Sequence, residues 1–521
     1  MIAKSPYPDV EIPDRPLAKF VLARAEDLGS KPALIDGPSG RVLTYKDLAG
    51  AVRLVAGSLA RRGFRKGDVF AIYSPNLPEY AIALHAVASL GGIVSTVNPL
   101  YTPRELANQL ADSGAGYLLT VAPLLEAARE ATRESAVKEL FVFGEAEGAT
   151  PFASLLQGDS QLPSVPIDPD DLVALPYSSG TTGLPKGVML THRNLVANIL
   201  QTSAVVQATP GERTMAVLPF YHIYGFTVLL NISLYQGVTI VTMPRFDLEL
   251  FLRIMQDYGI TRANLVPPII LALAKHPLVD KYKLGSLLSI NSGAAPLDAN
   301  VEQACAERLS CFVAQGYGLT ETSPVISTTP VDPTKHRPGS AGLLLPNTES
   351  KVMDPLSGAE LETGGQGEIW VRGPQIMKGY LNNPEATAGM LGPDGWLRTG
   401  DVGSVDPDGY LWVVDRVKEL IKYKGLQVAP AELEGLLIKH PAVADAAVIP
   451  VPDAEAGDIP KAFVVVRGTA NPEEIQAFVN GQVAPYKKIR LIEVVDQIPK
   501  SPSGKILRRV LIDRERQQAK V

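Results

Sequence analysis

Cysteine is nearly absent from this chain: only Cys305 and Cys311 occur in 521 residues. They are spaced too widely for a CxxC pair, which excludes both a disulfide framework and a cysteine-ligated zinc cluster. Positive charge is not in excess either. Forty-nine Lys and Arg stand against 55 Asp and Glu, a formal net charge of −6, so no global field draws in nucleic acid or an anionic membrane. Long apolar runs are missing. The most apolar window, residues 227–241, is broken by Asn231, Ser233 and Gln236 and is too short to span a bilayer. Residues 1–16 carry prolines and acids where a signal peptide has a basic stretch and then an apolar run. The final residues differ from the Ser-Lys-Leu peroxisomal address. The expectation is a cytoplasmic protein with no membrane span and no nucleic-acid partner.

What is present is apolar material in quantity: 46% hydrophobic residues, 20% charged residues and a mean hydropathy of +0.09. That composition excludes intrinsic disorder, and the length argues for two or more domains. Leu48, Val52, Val55, Ala56 and Leu59 recur at helical spacing, with Gly63 as a stop, and residues 69–73 then read as a buried strand. Asn76 is placed to cap a second helix through Ala81, Leu84 and Val87, followed by a strand at residues 93–96. Strand and helix keep alternating to about residue 400, which predicts an α/β body with largely parallel sheets. After Asp415-Arg416 the texture changes to short strands mixed with helices, such as residues 446–451 and 462–466, which predicts a small α+β domain.

Five segments and one histidine are candidates for chemistry. After a strand-like run at residues 172–175 comes Tyr177-Ser178-Ser179-Gly180-Thr181-Thr182-Gly183-Leu184-Pro185-Lys186-Gly187-Val188. It offers backbone N–H groups, hydroxyls and one ammonium to a polyanion, yet it is no Walker A loop, because Gly187 follows Lys186 where Ser or Thr is needed. Gly316-Tyr317-Gly318-Leu319-Thr320-Glu321 imitates a dinucleotide fingerprint but ends in Glu321 where glycine is required for close helix packing. Tyrosine, hydroxyl and carboxylate suit an adenine face, an α-phosphate and a magnesium ion instead. Asp401, in Trp396-Leu397-Arg398-Thr399-Gly400-Asp401, is able to accept from ribose hydroxyls. Lysines cluster at Lys418, Lys422 and Lys424, and Lys500 and Lys505 bracket Pro502-Ser503-Gly504. His222 lies among aromatic and apolar neighbours, a setting in which histidine is more often a satisfied core residue. No HExxH or GxSxG occurs, so zinc and serine hydrolysis find no motif.

In this order, over nearly the whole chain, these segments resemble the adenylate-forming superfamily of acyl-CoA synthetases. Within it the likeness is greatest to the 4-coumarate–CoA ligases, through residues 220–225, Ser292-Gly293-Ala294-Ala295-Pro296-Leu297 and Gln427-Val428-Ala429-Pro430-Ala431-Glu432-Leu433-Glu434. The resemblance implies a large N-terminal body of mainly parallel sheets flanked by helices, residues 1–415, and a small mobile α+β C-terminal domain, residues 417–521, with a hinge near 416–418. It implies ATP, Mg²⁺ and coenzyme A acting with a small-molecule carboxylic acid, in a monomer or homodimer, and an acyl-adenylate intermediate.

By the same resemblance, ATP or AMP is bound by Ser178, Ser179, Gly180, Thr181, Thr182, Gly183, Lys186, Gln315, Gly316, Tyr317, Gly318, Thr320, Asp401 and Arg416. Glu321 holds the metal. Lys505, Lys422, Gln427 and His222 are the catalytic group, and Lys424 and Gly425 meet CoA. The acid lies against Tyr224, Asn291, Gly293, Ala294, Gly318, Pro324 and Val325, a slot expected to be closed at Pro324 and Val325 and so to favour hydroxycinnamates over long chains. Two departures from the plant ligases fall here, at Asn291 and at Gly225-Phe226-Thr227-Val228. The rival readings are a medium- or long-chain fatty acid–CoA ligase, a carrier-protein-loading adenylation enzyme, a luciferase-like oxidation of the adenylate, and an ATP-binding relative without activity.

Overall fold

The computed structural model describes residues 2–518 except 159–160, 179–184, 356, 418, 425, 454 and 502–503, and the backbone alone of residues 427 and 518. Among the described residues four sheets carry the architecture. An eight-stranded sheet is built on the parallel strands Val69–Tyr73, Ile93–Val97, Tyr117–Val121 and Glu139–Phe143. It continues through Leu172–Ser178 into the antiparallel Lys186–Thr191 and the short edge strand Gly379–Tyr380. A nine-stranded sheet has the parallel centre Thr239–Thr242, Arg213–Ala216, Arg262–Leu265, Ser289–Ser292 and Phe312–Gly318.

The residues account for these elements. Val69–Tyr73 is an unbroken apolar run, Val-Phe-Ala-Ile-Tyr, with almost no exposure, as a parallel strand covered on both faces requires. The helix Tyr45–Arg61 starts where Thr44 accepts the Asp47 N–H at 3.1 Å, and it buries the apolar face formed by Leu48, Val52, Val55 and Leu59.

Two expectations are corrected. Asn76 caps no helix: Pro78–Ser89 begins without a side-chain cap. The Asn76 amide instead donates to the Ala216 and Leu218 carbonyls, both at 2.9 Å, and accepts the Phe220 N–H at 2.7 Å. A buried amide with three backbone partners near one segment does more there than at a helix end, and the segment it ties down leads into His222. Strand–helix alternation also stops before residue 400. Glu349–Met353, Gly367–Arg372, Leu397–Val405 and Leu411–Arg416 form an antiparallel sheet, in which one face packs while the other faces solvent.

Beyond residue 420 the strands Ile421–Tyr423, Leu426–Val428, Val443–Asp453, Gly457–Val466 and Leu491–Val494 form a further sheet, with apolar clusters centred on Ile421, Leu433, Val448 and Ile475 and on Ile449, Phe463 and Leu511. Cys305 and Cys311 are free thiols, pushed up by burial to about 12 and about 11. Among the described residues no helix is long and apolar enough to cross a membrane.

Candidate active site

A cavity of about 1860 Å³ opens where the ends of both large sheets meet the small C-terminal sheet unit. One end is built on the C-terminal part of the strand Phe312–Gly318, which carries Tyr317 to the cavity wall. The Tyr317 hydroxyl donates to Asp401 Oδ2 at 2.7 Å, and Arg416 Nε lies 3.2 Å from the other oxygen, Oδ1. Asp401 and Arg416 are register partners on neighbouring antiparallel strands, so sheet pairing itself sets the ion pair. Burial pushes the Asp401 carboxyl up, against the opposing pull of Arg416 and of the Tyr317 hydroxyl.

Deeper in, three segments converge on Glu321. Ser178 Oγ and the Tyr380 hydroxyl both donate to Glu321 Oε1, at 3.0 and 2.8 Å, which leaves Oε2 without a partner among the described residues. The Lys186 ammonium stands 5.0 Å over the Tyr380 ring, a cation–π contact that holds it at the start of Lys186–Thr191. No cluster of three or more His, Cys, Asp or Glu able to hold a metal exists among the described residues. A single free carboxylate oxygen beside Ser178 still fits Mg²⁺, which takes one or two carboxylates and completes its shell with water and substrate phosphate.

The other end lies under Tyr224. This residue begins a π-helix, Tyr224–Ile232, the wide turn often found at functional sites. Its hydroxyl donates to the Asn291 carbonyl at 3.1 Å, and the Asn291 amide donates back at 3.3 Å. A Cβ at Gly293 would stand 2.7 Å from the Tyr224 ring, so only glycine admits the ring there. The next residue, Ala294, is held at φ +70°, an unfavourable conformation for alanine that turns the chain along the cavity.

His222 accepts the Tyr224 N–H on Nδ1 at 3.2 Å, which places the remaining proton on Nε2. Burial, with Lys505 in second place, lowers His222 to about 4. Lys505 enters the same cavity from the small domain, lowered to about 8 by burial first and by Arg416 next, while Glu419 and Asp401 oppose the shift. It is delivered by Gly504, at φ +79° and packed so closely that a Cβ would lie 3.1 Å from Val266; no other residue suits both constraints.

Ser178, Lys186, Gly316, Tyr317, Gly318, Thr320, Glu321, Arg416, His222, Tyr224, Asn291, Gly293, Ala294, Pro324, Val325 and Lys505 therefore line one cavity, with Asp401 directly behind Tyr317. Gln315 does not join them. Its side chain turns to the opposite sheet face, where it bonds Glu302 at 2.7 Å and both backbone atoms of Leu297 at 3.1 Å, so only its backbone adjoins the Tyr317 end. Lys422 and Lys424 are exposed and do not line the cavity. Ser179, Gly180, Thr181, Thr182, Gly183, Gly425 and the Gln427 side chain lie outside the described residues.

The sequence reasoning missed three supports. Tyr380 holds Glu321 and Lys186; its only signal was a lone aromatic in Lys378-Gly379-Tyr380, just ahead of a turn-forming Asn382-Asn383-Pro384. Asn198, fully buried, brackets Val325 by donating to its carbonyl at 2.7 Å and accepting its N–H at 3.0 Å. Arg508 bonds both Glu434 oxygens at 2.8 and 2.7 Å and pairs with Glu419, bracing the unit that carries Lys505.

Residues 21–381 match the AMP-binding enzyme family and residues 432–505 its AMP-binding enzyme C-terminal domain. The chain belongs to the AMP-binding enzyme family. Among curated relatives of this family, 4-coumarate–CoA ligase 1 from Solanum tuberosum is 43% identical over 98% of this chain and 96% of its own, and 4-coumarate–CoA ligase 1 from Petroselinum crispum is 42% identical with the same coverage. Among solved structures, the anthranilate CoA ligase AuaEII in complex with anthranoyl-AMP superimposes with a TM-score of 0.91 at 26% identity, covering 98% of this chain and 99% of its own. MatB from Rhodopseudomonas palustris with bound ATP gives 0.87 at 29% identity, covering 95% and 98%. The expected fold class and superfamily are borne out.

Proposed function

We propose that this chain is an AMP-forming acid–CoA ligase acting on 4-coumarate-type hydroxycinnamates. One observation carries the reading: Tyr317, Asp401 and Arg416, the Ser178–Lys186–Glu321 group, Lys505 and the Tyr224 slot all converge on a single cavity. Likeness to 4-coumarate–CoA ligases along nearly the whole chain favours the hydroxycinnamates.

The reaction has two steps. A carboxylate oxygen of the acid bonds to the α-phosphorus of ATP while the bond to the bridging oxygen breaks, releasing pyrophosphate. The thiolate of CoA then attacks the acyl carbon, and the carbon–oxygen bond to AMP breaks. Attack of one anion on another needs concentrated positive charge, and two unit charges about 4 Å apart interact by about 4 kcal/mol at an effective dielectric near 20.

Lys186 and Lys505, both lining the cavity, supply that charge, and Thr320 with the segment 178–183 binds phosphate. Tyr317 faces adenine, and Asp401 and Arg416 hold the ribose. His222, with its proton on Nε2, donates to the acid carboxylate and turns the attacking oxygen toward phosphorus. Mg²⁺ at Glu321 would neutralise phosphate charge when bound.

Lys422, Gln427, Lys424 and Gly425 belong to the second step. Since Lys505 lines the cavity while Lys422 is exposed outside it, residues 417–521 rotate against 1–415 about 416–418 between steps. The protein works in the cytoplasm as a monomer or homodimer, on a small acid, ATP and CoA.

The test is pyrophosphate release against cinnamates, benzoates and fatty acids, with and without CoA. Release with 4-coumarate and formation of its thioester are expected. Release only with fatty acids would replace the acid assignment, and release with no thioester would point to a carrier protein as acceptor.

A further inference from the structure

The acid slot does not end at Pro324 and Val325. Beyond them the cavity runs on along one face of the parallel sheet, and strand register defines its floor. Arg262 pairs with Ser289 and Ser289 with Phe312; Asn264 pairs with Asn291 and Asn291 with Ala314. In a parallel sheet, partners in register and residues two apart share a face, so these side chains form one continuous surface, and all of them line the cavity.

From Gly316 at the site to Phe312 at the far end the floor spans about 13 Å. It finishes near Leu288 and Val331, which are 58% and 48% exposed. Facing the floor are Val228 and Ile232 of the π-helix and Val206. In this roof these three side chains are apolar, with Thr202, Ser233 and Gln236 lining the cavity beside them. The floor carries polar groups: the Asn264 amide and the Ser289 hydroxyl point to the cavity face with no protein partner among the described residues. Val228 belongs to the stretch in which this sequence departs from the plant ligases.

We infer that the acid pocket is a two-ended channel, and that it accepts aryl acids carrying a long linear para substituent with hydrogen-bonding atoms, threaded between the Val228–Ile232 roof and the Asn264–Ser289 floor toward Leu288. The inference rests on the acid–CoA ligase reading above and extends it to substrate shape. Asn264, Ser289 and Ala314 keep the floor free of bulky side chains next to the ring site, and Arg262 on the same face is ion-paired with Glu212, so none of these walls off the point where a hydroxycinnamate ring ends. An unpartnered amide and hydroxyl along the floor favour an ether or hydroxyl over a bare alkyl chain, because burying a polar group without a partner is costly.

The experiment measures kcat/KM by pyrophosphate release for 4-coumarate, 4-hexyloxycinnamate and its ω-hydroxyhexyloxy analogue, with the wild type and two plugs, Ser289→Phe from the floor and Ile232→Phe from the roof. The wild type is expected to use both extended acids, the hydroxylated one better. Either plug should cut extended-acid kcat/KM by about tenfold or more while 4-coumarate changes little. With two plugs on opposite walls, a folding defect in one still leaves the other as the test, and retained 4-coumarate turnover reports the fold. Turnover of 4-coumarate with none of the extended acids overturns the channel and leaves the ligase reading standing. Extended acids that ignore both plugs overturn it too. Absence of turnover with every acid overturns the ligase reading itself and the inference with it.

Discussion

Lys505 carries two consequences of its own burial. Pushed down to about 8 by desolvation and by Arg416, its ammonium loses the proton as pH rises through that value, and the charge needed at the α-phosphate goes with it. Adenylate formation, read as kcat/KM for ATP because that ratio reports the free enzyme, is therefore expected to fall above about pH 8. Lys505→Arg should remove this alkaline limb, since a guanidinium stays protonated. His222, held near 4, is neutral from pH 5 upward and contributes no inflection near 6.5. Lys505→Ala should lower adenylate formation by roughly 10²-fold or more while sparing the conversion of supplied acyl-adenylate by CoA, and Lys422→Ala should do the reverse. Equal loss of both steps in both variants would refute the division of labour.

At the scale of elements, the loop after Arg213–Ala216 is set by one side chain from a distant strand end. Asn76→Ala leaves the Phe220 N–H and the Leu218 carbonyl unpaired in a buried setting and takes one of its two donors from the Ala216 carbonyl, which keeps the Met243 N–H, at a cost of about 2–4 kcal/mol. Urea unfolding measures that cost. A looser approach to His222 should raise KM for the acid more than KM for ATP, because the nucleotide side chains stand on other strands. An unchanged KM ratio would show that Asn76 serves stability alone. The same scale explains why the sequence misled. Asn76 looked like a cap because it precedes a helix, and only the fold reveals three backbone atoms brought to it from about 140 residues away. Gln315 sits beside Gly316 in an apparent nucleotide motif, yet alternate residues of a strand point to opposite faces, and its amide closes on Glu302 and Leu297 instead.

The whole molecule is held in an arrangement with Lys505 inside the cavity. Asp415 Oδ2 accepts the Ala431 N–H at 2.8 Å at the start of the helix Pro430–Lys439, Lys439 reaches Asp298 at 3.7 Å, and Gly504 packs on Val266. If the proposed rotation connects the two steps, fixing this arrangement should separate them. A short thiol cross-linker placed between Asp298→Cys and Lys439→Cys, in a Cys311→Ser background, is expected to preserve pyrophosphate release in a single turnover. Thioester formation should be suppressed by about tenfold or more and restored when the linker is cleaved. Undiminished thioester formation in the linked protein would remove the rotation from the mechanism.

The sequence by itself determined the local chemistry. Segments whose chemistry depends on adjacent residues, such as Tyr317 to Glu321 and Gly504-Lys505, are legible because neighbours in the chain are neighbours in space, and unbroken apolar runs such as Val69–Tyr73 announce buried parallel strands. The tertiary structure decided what these segments share. The pairing of Asp401 with Arg416 depends on antiparallel register, and the hold of Tyr380 on Glu321 on a strand and a 3-10 turn that lie 59 residues apart in sequence. The antiparallel sheet of residues 349–416 likewise escaped a pattern that reads strands singly. The length of the acid channel was the least legible feature, because Arg262, Asn264, Ser289, Phe312 and Ala314 come from three separate strands and share a face only once the sheet is paired.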